Sequence, residues 1–214
     1  MSALATSQLL EQIEGVSPAT RLGGAAQAAR AWSLEALAGR FVEITHRGAG
    51  ACLTWAAELV WQAQRAGEPV AWVRATPSVL FGPDLDAWGI DLAALPVVQA
   101  PDAQAAARAA DKLLRSGAFG LLLLDLGGSA ELPAPLLGRL VKLAQQHHSA
   151  VVALTSSDAA SQALGSLVSL RVESTRRREP YGGGVRVSLE AHKDKRHGPG
   201  WRLSCVRAPV AGMG

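Results

Sequence analysis

The run Leu121-Leu-Leu-Leu-Asp125 constrains this chain more than any other stretch of it. Four consecutive leucines offer no polar face, so a strand made of them has to be covered on both sides. That is the setting of a central strand in a parallel sheet, with helices crossing over above and below. A carboxylate closes the run. At the end of a buried strand it needs a partner, and Asp125 is expected to cap a neighbouring helix or to pair with an arginine, Arg74 being one candidate.

The stretches on either side repeat the alternation of strand and helix. Phe41–Ile44 reads as a first strand, followed by a helix from about Ala51 to Ala66. Leu53, Ala56, Ala57, Val60 and Ala63 form one face of that helix, and Gly67 stops it. Pro69–Val73 is a second strand, Leu80–Trp88 a loosely helical stretch ending at Gly89, and Leu95–Gln99 a third strand. Asp102 is placed to cap an Ala-rich helix that runs to Arg115 and ends at Gly117, with Asp111 and Arg115 one turn apart. After the leucine run come a helix over Pro135–His147 and a strand over Ala150–Thr155. Beyond residue 166 the pattern changes to short strands, Leu167–Glu173, Val185–Ala191 and Trp201–Val206. The short links Glu179–Gly184 and His197–Gly200 suit antiparallel hairpins at one edge of the sheet, with Arg186, Ser188 and Glu190 on one face opposite Val185, Val187 and Leu189.

The fold class is therefore α/β: a mostly parallel sheet flanked by helices, with an antiparallel hairpin extension at its C-terminal edge. Residues 39–207 form the domain. Residues 1–38 read as a lead-in, with a short helix over Leu9, Leu10 and Ile13 broken by Gly15, Pro18 and Gly23-Gly24, and with Trp32, Leu34 and Leu37 packing on the domain. Residues 208–214 read as a flexible tail.

Composition narrows the class further. A hydrophobic share of 49% against 18% charged excludes a disordered chain. The absence of an apolar run of about 18 residues argues against a membrane span, and no secretory signal is visible at the N-terminus. Two cysteines cannot make a disulfide framework, so a reducing cytoplasm is the expected compartment; Cys52 and Cys205 read as buried thiols, and no metal-ligand spacing is present. Charge is uneven. Residues 171–207 carry ten Lys/Arg against four carboxylates, whereas the rest of the chain carries eleven against fourteen, which points to an anionic partner near the C-terminus.

The stretch from Arg40 to Leu59 has the frame of a phosphate-binding loop: a strand, a Gly-rich turn and a helix. The chemistry of such a loop requires a Lys and a Ser or Thr hydroxyl beside the curled backbone N–H groups. The turn here is His46-Arg47-Gly48-Ala49-Gly50-Ala51-Cys52, and the first lysine of the chain is Lys112.

With these residues in place the chain resembles the core of the bacterial RecA-type recombinases. The resemblance is carried, in order, by Gly39–Ile44 with its Gly-rich turn and helix, Gly89-Ile-Asp-Leu, Leu113-Leu-Arg-Ser-Gly117, the Walker B-like run Leu121–Asp125, and Lys193-Asp-Lys195. It implies a RecA-like fold over about residues 35–207. It also exposes departures. The Walker A lysine is missing near Gly50-Ala51-Cys52, and the loop is about two residues short. Arg74-Ala75-Thr76 stands where the recombinases carry their catalytic glutamate, and Thr is no general base at neutral pH. The connections after the fourth and fifth strands leave little room for long DNA-binding loops. Phosphoryl transfer needs cation, cradle and base together, so no enzyme activity and no cofactor are expected.

Among RecA-like proteins without a nucleotide site the chain is similar to the ImuA group, accessory proteins of SOS-type mutagenesis. That resemblance implies a non-catalytic adaptor in translesion synthesis, associating with an ImuB-like protein related to Y-family polymerases, through it with an error-prone polymerase and the sliding clamp, and with RecA. Two alternatives stay open: a division inhibitor similar to SulA, and a DNA-binding ATPase with an unorthodox loop. The basic residues Arg171, Arg176, Arg177, Arg178, Lys193, Lys195 and Arg196 are candidates for contact with DNA, another polyanion or an acidic protein. His46, His147 and His148 lack a ligand constellation and read as surface or capping residues. Ser156, Ser157 and Asp158 lack the frame of a nucleophile. Trp55 and Trp61, six apart on one helix, point to different sides.

Overall fold

The computed structural model describes residues 28–46, 48–75, 80–128, 131–156, 164–180 and 184–207. Eight strands, β1 (Phe41–His46), β2 (Val70–Arg74), β3 (Val97–Gln99), β4 (Leu121–Gly127), β5 (Ala150–Ser156), β6 (Leu170–Arg178), β7 (Val185–Asp194) and β8 (Arg202–Arg207), form one sheet in the order β3-β2-β4-β5-β1-β6-β7-β8. Strands β3 through β6 in that order are parallel neighbours, and β7 and β8 continue the sheet antiparallel. Helices among the described residues include α1 (Leu34–Leu37), α2 (Cys52–Arg65), α3 (Gly82–Ala87), α4 (Ala103–Arg115) and α5 (Ala134–His147). Among the described residues no helix is long and apolar enough to cross a membrane.

The leucine run behaves as its composition requires. Leu121 and Leu123 enter the core on one face of β4, and Leu122 and Leu124 enter the core on the other. All four are fully buried, each removing apolar surface that contributes roughly 2 kcal/mol. The first face is covered by α2 through Trp55, Ala56, Leu59, Val60 and Ala63, and the second by α4 and α5 through Ala106, Ala110, Leu114, Leu137 and Leu140.

Local signals set the helix ends. The Asp102 carboxylate accepts the Ala105 N–H at 2.6 Å and starts α4. Asp111 on α4 takes Arg115 at 3.0 Å and Arg139 of α5 at 3.7 Å, so the one-turn pair also ties two helices together. His148 caps α5 in the left-handed conformation, φ 54°. Trp32 and Leu37 are buried in the first core, where Trp32 meets Trp55 edge to face with ring centroids 6.4 Å apart.

Several boundaries differ from the sequence reading, β7 for one running three residues past Ala191 to Asp194. Leu95 is a buried core residue ahead of β3, not part of it. Leu167–Ser169 precede β6 as a turn and bend. At its other end β6 runs five residues past Glu173 to Arg178, because β7 supplies a partner for each of them. A polar run has no inward periodicity to reveal a strand; the ladder across from it does. The expected helix over Leu9–Ile13 and the tail 208–214 lie outside the described residues.

Candidate functional site

In an open α/β sheet, ligands bind at the C-terminal strand ends, where the connections leave to opposite faces. Here β1 leads into α2 on the first face and β4 into α5 on the second. The turn between β1 and α2 and the Asp125 carboxylate of β4 therefore sit at the edge where a ligand site belongs.

The turn is held by its own residues and by β6. Gly48 adopts φ +60°, a conformation that favours glycine. His46 folds back on the turn: its Nδ1 lies 3.0 Å from the Gly48 carbonyl, and its ring packs so closely on Gly50 that a Cβ there would be 2.3 Å from the His46 Cβ. Ala51, the residue preceding α2, has no side chain to cap the helix, and its N–H donates instead to the Ser174 hydroxyl of β6 at 3.0 Å. The Arg176 N–H donates to the Ala49 carbonyl at 3.1 Å. Two hydrogen bonds thus latch the turn to β6. Arg47 and Thr76 lie outside the described residues, as do Ser157 and Asp158.

Cys52 opens α2 with its thiol buried against Ser174. Burial pushes that thiol up to about 12, the Asp125 carboxylate adds to the rise, and the hydrogen bond to Ser174 opposes it. A helix N-terminus ordinarily favours the thiolate; here desolvation outweighs it and favours the protonated thiol. Asp125 makes an ion pair with Arg74, Nε to Oδ2 3.2 Å, both side chains being buried. Burial raises the Asp125 pKa, and the hydrogen bond and charge of Arg74 pull it back. Among the described residues no three His, Cys, Asp or Glu side chains converge as a metal site would require.

A second polar cluster lies deeper, on the opposite face of β1. Glu43 is buried and accepts the Thr155 hydroxyl at 3.1 Å and the Leu164 N–H at 3.3 Å, with Arg171 at 3.5 Å. Burial raises its pKa, and Arg171 opposes the rise.

The basic residues do not form one surface. Arg171 is turned toward Glu43, while Lys193 and Lys195 both donate to the Ser166 carbonyl at 2.9 and 3.0 Å. Arg196 donates to the carbonyls of Ala36 and Ala38. Arg176, Arg177 and Arg178 stand exposed at the far end of β6. Trp55 is buried and Trp61 half-buried under Arg65, 5.0 Å from its ring.

No family model and no curated protein matches the sequence. The crystal structure of the RadB recombinase matches the fold with a TM-score of 0.61 at 15% sequence identity, over 83% of this chain and 97% of that one. The fold is RecA-like. At that identity the likeness extends to the backbone architecture alone, so the RecA-like scaffold places the β1–α2 turn and Asp125 but assigns them no chemistry.

Ser174 is the residue that sequence reasoning missed. Its signal was present: Leu170 and Val172 are inward-facing, and a hydroxyl at the next inward position of β6 needs a buried partner.

Proposed function

We propose that this chain is a non-catalytic RecA-like adaptor of the ImuA kind, acting in damage-induced translesion synthesis. It would bind an ImuB-like protein and, through it, an error-prone polymerase complex, with RecA as a further partner. One observation carries the non-catalytic part: the turn that a nucleotide would need is filled from within. Ser174 occupies the Ala51 N–H, His46 packs on Gly50, and Arg74 takes the Asp125 carboxylate. A Mg²⁺-nucleotide requires those same groups free, plus a lysine that the turn does not contain. The adaptor part rests on the resemblance to the ImuA group, with which a RecA-like fold is consistent.

Titration calorimetry with ATP and Mg²⁺ tests the first part. No heat beyond dilution is expected, and micromolar binding or release of phosphate overturns it. Co-expression with the ImuB-like protein of the same organism tests the second. Co-purification of a complex is expected, and its failure removes the adaptor role.

A further inference from the structure

Positive charge is concentrated on one pair of helices. Within α4, Arg108, Lys112 and Arg115 recur at i, i+4 and i+7 and share one stripe; within α5, Arg139 and Lys142 stand three apart on another. All five are exposed. Asp111 joins the stripes, because its carboxylate meets Arg115 at 3.0 Å and Arg139 at 3.7 Å. The cations therefore form one surface, on the outside of the helix layer that covers the second core. Five cations against the one carboxylate of Asp111 give α4 and α5 a net +4, more than the +3 of the whole chain. Two ordinary explanations fall short. A cation in the last turn of a helix meets free carbonyls favourably, which accounts for Lys112 and Arg115 but not for Arg108, Arg139 and Lys142, placed mid-helix. A solvated helix face is stabilised by opposite charges one turn apart and destabilised by like ones. Arg108 and Lys112 are such a like pair, and neither they nor Lys142 have an ion-pair partner among the described residues.

We infer that the outer surface of α4 and α5 docks an acidic, amphipathic segment of a partner protein. Cations alone would suit carboxylates and phosphates equally. The apolar surface beside them separates the two: Leu113 of α4 and Leu136 and Leu143 of α5 are only half-buried. Protein interfaces combine apolar contact with an enrichment in arginine, whereas a phosphate backbone gains nothing from leucine. Arg115 and Arg139 are also placed in advance by Asp111, so less side-chain freedom is lost when they meet a carboxylate. Each guanidinium can then hold that carboxylate through two parallel N–H donors. The occupant is thus a segment that interleaves carboxylates with leucine-like side chains. Its site is separate from the β1–α2 turn, since α2 covers the other face of the sheet. The inference does not rest on the adaptor role and survives if no complex with an ImuB-like protein forms.

The test is fluorescence anisotropy of a labelled peptide of repeating Glu-Leu-Glu-Glu, titrated with the full chain across a salt series. The wild-type protein should bind it and weaken as salt rises. The variant R108E/K112E/K142E, which spares the two arginines on Asp111, should lower affinity at least about tenfold. R176Q/R177Q/R178Q, which removes three cations elsewhere, should stay within about twofold of wild type. A peptide with glycine in place of leucine should bind at least about fivefold more weakly. Circular dichroism melting verifies that each variant is folded. Absence of binding by the wild type overturns the inference, as does an unchanged affinity in folded R108E/K112E/K142E or an equal loss in both triple variants. Equal affinity for the leucine-free peptide also overturns it. So does displacement of the peptide by a duplex oligonucleotide at matched phosphate and carboxylate concentrations, which would transfer the surface to nucleic acid.

Discussion

Asp125 and Arg74 meet across β4 and β2, which are directly paired at those two positions. A buried ion pair is retained at a cost in desolvation, and removing one partner strands the other charge in the core. Asp125→Ala should therefore destabilise the protein by about 3 kcal/mol, while the double variant Arg74→Met/Asp125→Leu should return to within about 1 kcal/mol of wild type. Urea denaturation of the four proteins of this cycle measures both; a loss under about 1 kcal/mol for Asp125→Ala would remove the structural role given to the pair. This contact was legible in the sequence, because a carboxylate ending an all-leucine strand must find a cation, and Arg74 ends a neighbouring strand. The burial of Cys52 was legible as well, since free cysteine is mostly buried, but the hydroxyl it rests on was not; Cys205, expected to be buried too, is partly exposed.

The β1–α2 turn and β6 act as one unit. A helix whose first residues lack a capping side chain takes its cap from a strand 123 residues further on, which ties the turn's shape to the register of β6. The turn tolerates no added atom at Gly50, where the obstructing group is the near end of His46, not a flexible tip. Gly50→Ala should cost at least about 1 kcal/mol by overpacking, and His46→Gly in the same background, which removes the obstructing Cβ as well as the ring, should recover part of it. Thermal melts of the two variants decide this, and an unperturbed Gly50→Ala protein would mean that His46 does not hold the turn. The β6 boundary illustrates what sequence reading misses at this scale. Arg176–Arg178 carry no alternation of polar and apolar residues, so only the β7 ladder reveals that they are extended and fixed.

Across the whole molecule, the far ends of the domain are joined by Asp194. Its carboxylate accepts Arg40, 154 residues away at the start of β1, at 2.7 Å, the Arg196 N–H at 2.9 Å and the Trp201 indole at 3.0 Å, with His197 at 3.1 Å. Burial alone would raise the Asp194 pKa, but these donors outweigh it and hold the group at about 2. A carboxylate whose pKa is lower in the folded state stabilises the protein above its unfolded value, near 3.8, and loses that contribution as pH falls toward about 2. Wild type and Asp194→Asn should thus differ most in thermal midpoint above about pH 4 and converge as pH drops to about 2. A difference that stays constant over that window would show that the charge of Asp194 is not what closes the domain.

By itself the sequence determined the order of strands and helices, the two-sided cover of the sheet and the antiparallel edge. These follow from apolar periodicity, caps and stops, which act over a few residues and can be read in place. Apart from Arg74 with Asp125, only the tertiary structure decided which polar groups far apart in the chain meet: Ser174 with Ala51, Asp194 with Arg40, and Ser166 with two lysines. It likewise decided that Arg171, Lys193, Lys195 and Arg196 bond to a carboxylate or to carbonyls of the chain itself. The physical reason is that a polar partner is chosen by strand register and by the distance between segments far apart in the chain. Neither is encoded in the local pattern that makes each segment a strand or a helix.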